Sequence, residues 1–379
     1  MTRRQTLSIL GGGVIAAAAG SAYAVTRQPN TALAPWDMAG QYDDPRKRAL
    51  SWAVLSPNPH NRQPWLVDLS LEDHVILFVD TDRLLPHTDP FSRQIVIGLG
   101  CFLETMTIAA AEDGYGIELE LFPDGMDADT LDARPVAVAR FVTGAAAGPD
   151  PDFPLIPHRR SQKEPYDMDR PLSSETLGSL VASVRHGTRA EGTLDPARVA
   201  AMREISAEAL RIELETPNTY KESVDLFRIG HREVNANPDG LDFSGPMWEA
   251  MHLTGLFTRD NAIDPDGFVF QSGMDVTTGN VRTAMGHIWL TTPGNTRVDQ
   301  INAGRDWMRL NLATTRAGVG IHPLSQALQE YPEMSALYAQ VHQDMAAPGE
   351  TIQMWARLGY CAPVPRSPRW PLEAKIVHA

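Results

Sequence analysis

Cysteine is almost missing: the 379 residues include only Cys101 and Cys361. Two thiols exclude a disulfide-stapled scaffold and a cysteine metal cluster, and leave open either one bridge in an oxidising compartment or two buried free thiols. Positive charge is also short. Lys and Arg number 33 against 47 Asp and Glu, for a net charge of −14, which argues against nucleic acid as a partner. There is no Gly-x-Ser-x-Gly elbow, no Walker loop and no His-Glu-x-x-His, and His60, His87, His158 and His322 lack metal-ligand spacing. Gly98-Leu99-Gly100 falls inside a helical period rather than after a strand, so it is not a dinucleotide loop. With 43% apolar and 21% charged residues, 29 Gly and 29 Pro, the composition is that of a soluble globular chain long enough for a sizeable core.

The first 24 residues read as an address. Arg3-Arg4, an apolar Gly/Ala-rich run from Leu7 to Gly20 and Ala22-Tyr23-Ala24 have the layout of a twin-arginine export signal. The run is too short and too rich in Gly for a stable membrane span, which takes about 20 residues. The expected location is therefore the periplasm, with the Tat export machinery as a partner during secretion, and a membrane tether if the signal is retained. Cleavage after Ala24 takes the charge from −14 to −16.

The pattern predicts an α+β chain in two halves, 44–150 and 151–379, separated by the Pro- and Gly-rich stretch 144–157. Asp43-Asp44-Pro45 starts a helix that Pro57, Pro59 and Pro64 prevent from continuing. Ile97 to Ile117 can be laid without a gap on Ile301 to Ile321, at a constant offset of 204. Gly100 then falls on Gly304, Gly114 on Gly318 and Gly116 on Gly320, and each segment reads as a helix closing in Gly-x-Gly after a strand. Duplication predicts two fused units packed as a pseudo-two-fold internal dimer. An excursion near 217–279 interleaves turn formers with Phe243, Trp248, Phe257, Phe268 and Phe270, which suits a lid or a surface subdomain.

Three segments carry candidate chemistry. Pro57-Asn58-Pro59-His60-Asn61-Arg62-Gln63-Pro64-Trp65 is held by its prolines; in an extended chain Asn61 and Gln63 project to one side, each offering amide donor and acceptor. Arg159-Arg160-Ser161-Gln162-Lys163 gathers two guanidinium groups, a hydroxyl and an ammonium, which suits a phosphate. Near the C-terminus, Arg366 and Arg369 form a second cationic pair on a proline-stiffened tail.

These motifs resemble those of the flavin-dependent nitroreductase superfamily, in particular its Acg-like branch with two fused nitroreductase-like halves. Members show Pro-Ser-x-x-Asn-x-Gln-Pro-Trp, met here with Asn58 in place of Ser, and Arg-x-Ser-x-Arg, met here with Lys163 in place of the last Arg. The resemblance runs from about Asp44 to the end. It implies a nitroreductase-like fold and FMN, with Asn58, His60, Asn61 and Gln63 near the flavin's polar edge or ribityl chain and Arg159, Arg160, Ser161, Lys163, Arg366 and Arg369 around the phosphate. Gly318 and Gly320 are expected beside the ring, or as a plain helix cap. Only one complete set of motifs is present, so one FMN per chain is expected. The implied activity is hydride transfer from NADH, NADPH or another donor through flavin to a nitroaromatic, quinone or similar small-molecule acceptor. The alternative is a flavin-binding or flavin-sequestering periplasmic protein whose lid covers the ring. No proton donor is named.

Overall fold

The computed structural model describes residues 27–379, so the export signal expected at 1–24 lies outside the described residues. Helix α1 (Asn30–Met38) precedes α2 (Pro45–Ala53), which begins as the sequence predicts. Asp44 accepts a hydrogen bond from Arg46 N at 2.8 Å, and Pro45 fills the first helical position, where its missing N–H costs nothing. Strands β1 (Trp65–Asp68) and β2 (His74–Val79), helix α3 (Arg93–Glu112), and strands β3 (Tyr115–Leu121) and β4 (Ala137–Thr143) complete the first half.

The second half opens with α4 (Ser174–Val181) and β5 (Arg189–Thr193). A long excursion follows: α5 (Pro196–Glu215), α6 (Pro217–Asp225), β6 (Phe227–Ile229), α7 (Gly230–Ala236), β7 (Leu241–Phe243), α8 (Pro246–Leu253), α9 (Arg259–Ile263) and α10 (Phe268–Val281). The chain then returns through β8 (Gly286–Thr292), α11 (Arg297–Arg316), β9 (Gly320–Pro323), α12 (Ser335–Met345), β10 (Thr351–Gly359) and, at its end, β11 (Ile376–His378). Within the excursion, Phe227, Phe243, Trp248 and Phe257 stack around a small apolar core of their own, which makes it a packed subdomain rather than a linker.

Two sheets carry the halves, in an α+β arrangement. The first has the order β11-β1-β2-β4-β3 and the second β5-β8-β10-β9. Setting β11 aside, the two orders correspond strand for strand, and in each the long helix follows the second strand. The central strands β8 and β10 are buried on both faces, whereas β2 alternates between buried and half-buried positions.

Helices α3 and α11 pack against each other between the sheets, and their first residues lie at positions 93 and 297. They cross at Gly100 and Gly304: a Cβ on Gly304 would lie 2.9 Å from Gly100 Cα and nearer still to the Ile97 carbonyl oxygen. Glycine is required on both sides because backbone meets backbone. Each helix opens with an arginine that is 1% exposed. Arg93 reaches into the second half, donating to Gln353 O at 2.9 Å and to Leu328 O, while Arg297 reaches into the first, donating to Phe91 O at 2.7 Å and Asp127 O at 3.1 Å.

Further along the same pair, Glu104 accepts from Arg305 at 2.9 Å and Arg309 at 2.5 Å, and His186 Nε2 lies 3.0 Å away. Burial alone would raise the Glu104 pKa, but the His186 contact and the two guanidinium groups outweigh it and hold the carboxyl at about 2. By length and composition α3 could cross a membrane, yet 89% of its apolar window is buried inside the protein. Cys101 and Cys361 are both free; the Cys101 thiol donates to Gly304 O and the Cys361 thiol to Gln162 Oε1.

Candidate functional site

The loop after α2 is not extended. Pro59–Asn61 form a 3-10 turn, and His60, Asn61 and Gln63 adopt φ of +45°, +50° and +51°. The prolines fix only their own φ; the turn is closed by Asn58, whose Oδ1 accepts from Gln63 N at 2.7 Å while its Nδ2 donates to Ser56 O. Three non-glycine residues in the left-handed region cost of order 1–3 kcal/mol each, and such strain persists only where surrounding contacts over-determine it.

Those contacts come from the tail and the excursion. Asn61 Nδ2 donates to Pro368 O at 3.0 Å, and Asn61 Oδ1 accepts from Arg369 Nη1. Gln63, fully buried, donates to Pro238 O at 2.7 Å and accepts from Trp370 N at 2.8 Å, and Lys375 Nζ caps its carbonyl at 2.8 Å. The sequence predicts that Asn61 and Gln63 project to one side of an extended chain and offer their amides there. Instead both amides are occupied, and what they do is position Arg369 and the turn 237–240. Asp239 in that turn accepts from Arg228 at 2.6 Å and from Arg83, and its carboxylate lies 3.9 Å from Arg62, which fastens the excursion to the first half.

Arg159, Arg160 and Arg369 are brought together behind this loop. Arg159 Nη2 and Arg369 Nη2 both donate to Leu55 O at 3.1 Å, beyond the C-terminal end of α2, and Arg369 also reaches Ser56 O at 3.2 Å. Arg159 and Arg369 are each 3% exposed. None of the three has a carboxylate partner among the described residues. Arg159 Nη1, Arg160 Nε and Arg369 Nε are buried and unpartnered. Burial, with Arg160 adding repulsion, lowers the Arg159 pKa to about 10; burial, with Arg159 and Arg160 adding repulsion, pushes that of Arg369 well below its usual value. Three crowded guanidinium groups with orphaned N–H donors fit an anion that has several oxygens. The Ser161 hydroxyl, which makes no hydrogen bond among the described residues, is available to add a donor. Arg366 stands at the rim, paired with Asp37 at 2.7 Å.

Lys163 is open to solvent yet close enough to His60 and His322 to act on both. Burial first, then Lys163 and Arg62, lowers the His60 pKa to about 4; its Nε2 lies 3.2 Å from Ser223 Oγ. Burial first, then Arg357 and Lys163, pushes His322 well below its usual value. Arg357 Nε donates to His322 Nδ1 at 2.9 Å, and its other nitrogens donate to Lys163 O at 2.8 Å, Glu164 O at 2.9 Å and Asn280 O at 2.5 Å. Sequence reasoning missed Arg357, although a guanidinium inside the apolar run Ile352 to Leu358 was the available signal.

The two glycines near 320 have local roles. Gly318 takes φ +63° just past α11, donating to Thr315 O while Val319 donates to Thr314 O, which closes the helix end. Gly320 lies against Tyr166 and Cys361. A groove of about 360 Å³ between residues 84–87 and α6 is lined by none of Arg159, Arg160 and Arg369.

No family model matches the chain. It is 26% identical over 344 residues to the Mycobacterium tuberculosis protein named "Putative NAD(P)H nitroreductase acg", covering 86% of this chain and 93% of that one. A second protein of that organism with the same kind of name is 24% identical over 337 residues, covering 85% and 88%. Among solved structures, the FMN-dependent nitroreductase NfnB of Mycobacterium smegmatis in complex with NADPH aligns over 59% of this chain and 96% of its own, at 18% identity and a TM-score of 0.35. A Bacteroides fragilis nitroreductase with bound FMN aligns over 56% and 89%, at 10% identity and a TM-score of 0.33.

Proposed function

We propose that this chain is an FMN-dependent oxidoreductase of the nitroreductase type. Similarity over most of its length to relatives named for NAD(P)H nitroreductases supports the nitroreductase superfamily and an enzymatic role. The observation that carries the reading is the cradle: two buried guanidinium groups and one half-buried, each with an unpartnered N–H donor and no carboxylate, assembled from the second half and the tail beside the loop of the first half. Arg159, Arg160, Arg369 and Ser161 would hold the FMN phosphate, with Arg366 at the rim. Bound FMN supplies two-electron chemistry between a reduced nicotinamide or other donor and a nitroaromatic, quinone or similar acceptor. The chain's own part is to bind and orient. Because Arg357 Nε can only donate, His322 Nδ1 accepts and the ring proton sits on Nε2. Its lowered pKa keeps that ring neutral, so His322 offers a neutral N–H donor within the influence of the Lys163 charge.

The correspondence of the two sheet orders, the glycine crossing and the reciprocal arginines support two fused halves. One FMN per chain fits the loop after α4, the counterpart of the loop after α2. There the backbone N–H groups of Arg185, His186 and Thr188 are taken by Asp306 at 2.5, 2.9 and 3.2 Å, and Glu104, Arg305 and Arg309 form an ionic cluster nearby. The proposal extends to export: residues 1–24 act as a twin-arginine signal, and the mature protein works in the periplasm on a small molecule.

Purified mature protein should contain one FMN per chain, and its absorbance near ~450 nm, usual for this chromophore, should bleach anaerobically with NADH or NADPH and return with a quinone. Joint replacement Arg159→Ala and Ser161→Ala should strip the flavin. Unchanged flavin content would overturn the phosphate assignment. Flavin reduced by dithionite but by neither nicotinamide would favour a different donor or a sequestering role.

A further inference from the structure

Helix α1 has no part in the motifs, yet it covers the cradle. The Trp36 ring centroid lies 4.8 Å from the Arg160 guanidinium carbon and 5.7 Å from those of Arg366 and Arg369, so one indole ring serves three cations. The helix is nine residues long, contains Pro35 and has no side-chain cap. Helices this short do not hold in water by themselves, so α1 depends on its tertiary bonds. Its polar ties reach the tail and the excursion: Trp36 Nε1 donates to Ser367 O at 2.8 Å, Arg369 N donates to Ala32 O at 2.8 Å, Ala32 N donates to Asn235 Oδ1 at 3.0 Å, and Asp37 pairs with Arg366.

We propose that α1 is a strap over the cradle with Trp36 as its cover, so that a phosphate monoester held by Arg159, Arg160 and Arg369 leaves only when the strap lifts. The inference rests on the cradle being the FMN phosphate site. It adds that retention, rather than recognition, is the task of α1. Binding and strap closure are then linked, and each stabilises the other by the same amount. Removal of residues 1–24 leaves the strap intact, so the exported form keeps it.

The test is FMN release from the loaded full-length mature protein, followed by the fluorescence of freed flavin in the presence of an apoflavoprotein trap. Trp36→Ala should release FMN about tenfold faster, equal to about 1.4 kcal/mol, with Trp36→Phe intermediate. Asn235→Ala, which cuts a tie of the strap and touches no cradle residue, should also accelerate release. In the unaltered protein, the amides of residues 33–38 should exchange hydrogen more slowly with FMN bound than without. Wild-type release rates in both Trp36→Ala and Asn235→Ala, or equal exchange in the two forms, would overturn the strap while leaving the cradle standing. FMN retained in Arg159→Ala would overturn the cradle and the strap with it.

Discussion

Replacing Gly304 with alanine tests the crossing on which the two halves rest. The added Cβ would stand 2.9 Å from Gly100 Cα and closer to the Ile97 carbonyl oxygen. Both obstacles are backbone within a helix, so neither can swing aside as a side chain would. Overpacking costs about 1–3 kcal/mol where neighbours can yield, and a site with none that can belongs at the upper end, near ~3 kcal/mol. Alanine returns about 1 kcal/mol through its better helix propensity. The net expectation is a loss of about 2 kcal/mol, read as a lower urea midpoint with an unchanged slope. Gly178→Ala is the control: Gly178 lies within α4 with nothing inside 4 Å of its would-be Cβ, so the same substitution should raise stability by about 0.4–1 kcal/mol. Opposite signs for one chemical change isolate the crossing from intrinsic propensity. Gly100→Ala combined with Gly304→Ala should cost less than the sum of the two, because one separation of the helices relieves both. A Gly304→Ala protein as stable as the Gly178→Ala control would refute backbone-to-backbone contact at this position.

Three further outcomes are expected. Arg297→Met strands the carbonyls of Phe91 and Asp127 and should cost about 2–4 kcal/mol in urea unfolding, and Arg297→Lys should not restore it because an ammonium lacks the fork that spans both. Glu104, held at about 2 against its ordinary 4.5, contributes stability that is fully present above pH about 4.5 and lost as pH falls toward 2; about 3 kcal/mol should disappear over that window, and Glu104→Gln should flatten this part of the profile. His322 should appear in nitrogen NMR as the neutral Nε2–H tautomer at pH 6, and Arg357→Met, by removing a neighbouring cation, should raise its pKa; an unmoved His322 would break the link between the two.

The helix pair was legible because Gly100 and Gly304, at an offset of 204, are the residues that backbone contact forbids from changing. Carried four residues further toward the N-terminus, the same register pairs Arg93 with Arg297, a match of two charges at the heads of apolar helices. The loop was legible as a motif but not as a shape. Its left-handed residues are fixed by Asn58 and by a tail some 300 positions away, and no local pattern carries that contact. The cradle arginines could be read from spacing within their own segments, though not their convergence on Leu55 O. Trp36 escaped notice because α1 has neither cap nor clear apolar period. The positive φ of Gly318 was legible too, because a Gly just past a helical period is the usual way for a helix to end.

The last strand gives the molecule an order of assembly. Val67 pairs with Ile376 and Asp68 with His378, so the first sheet gains its outer strand from the final residues of the chain. The same tail brings Arg369 to the cradle and Trp370 to Gln63. During synthesis the first sheet therefore keeps an open edge, and the loop lacks its tail partners, until residues 368–378 have emerged. A chain shortened before residue 369 keeps the Asn-x-Gln loop and the basic segment but loses the guanidinium that meets Arg159 at Leu55 O. One short segment thus serves both the sheet edge and the meeting of Arg159 with Arg369, and loss of residues 369–379 would undo the two together.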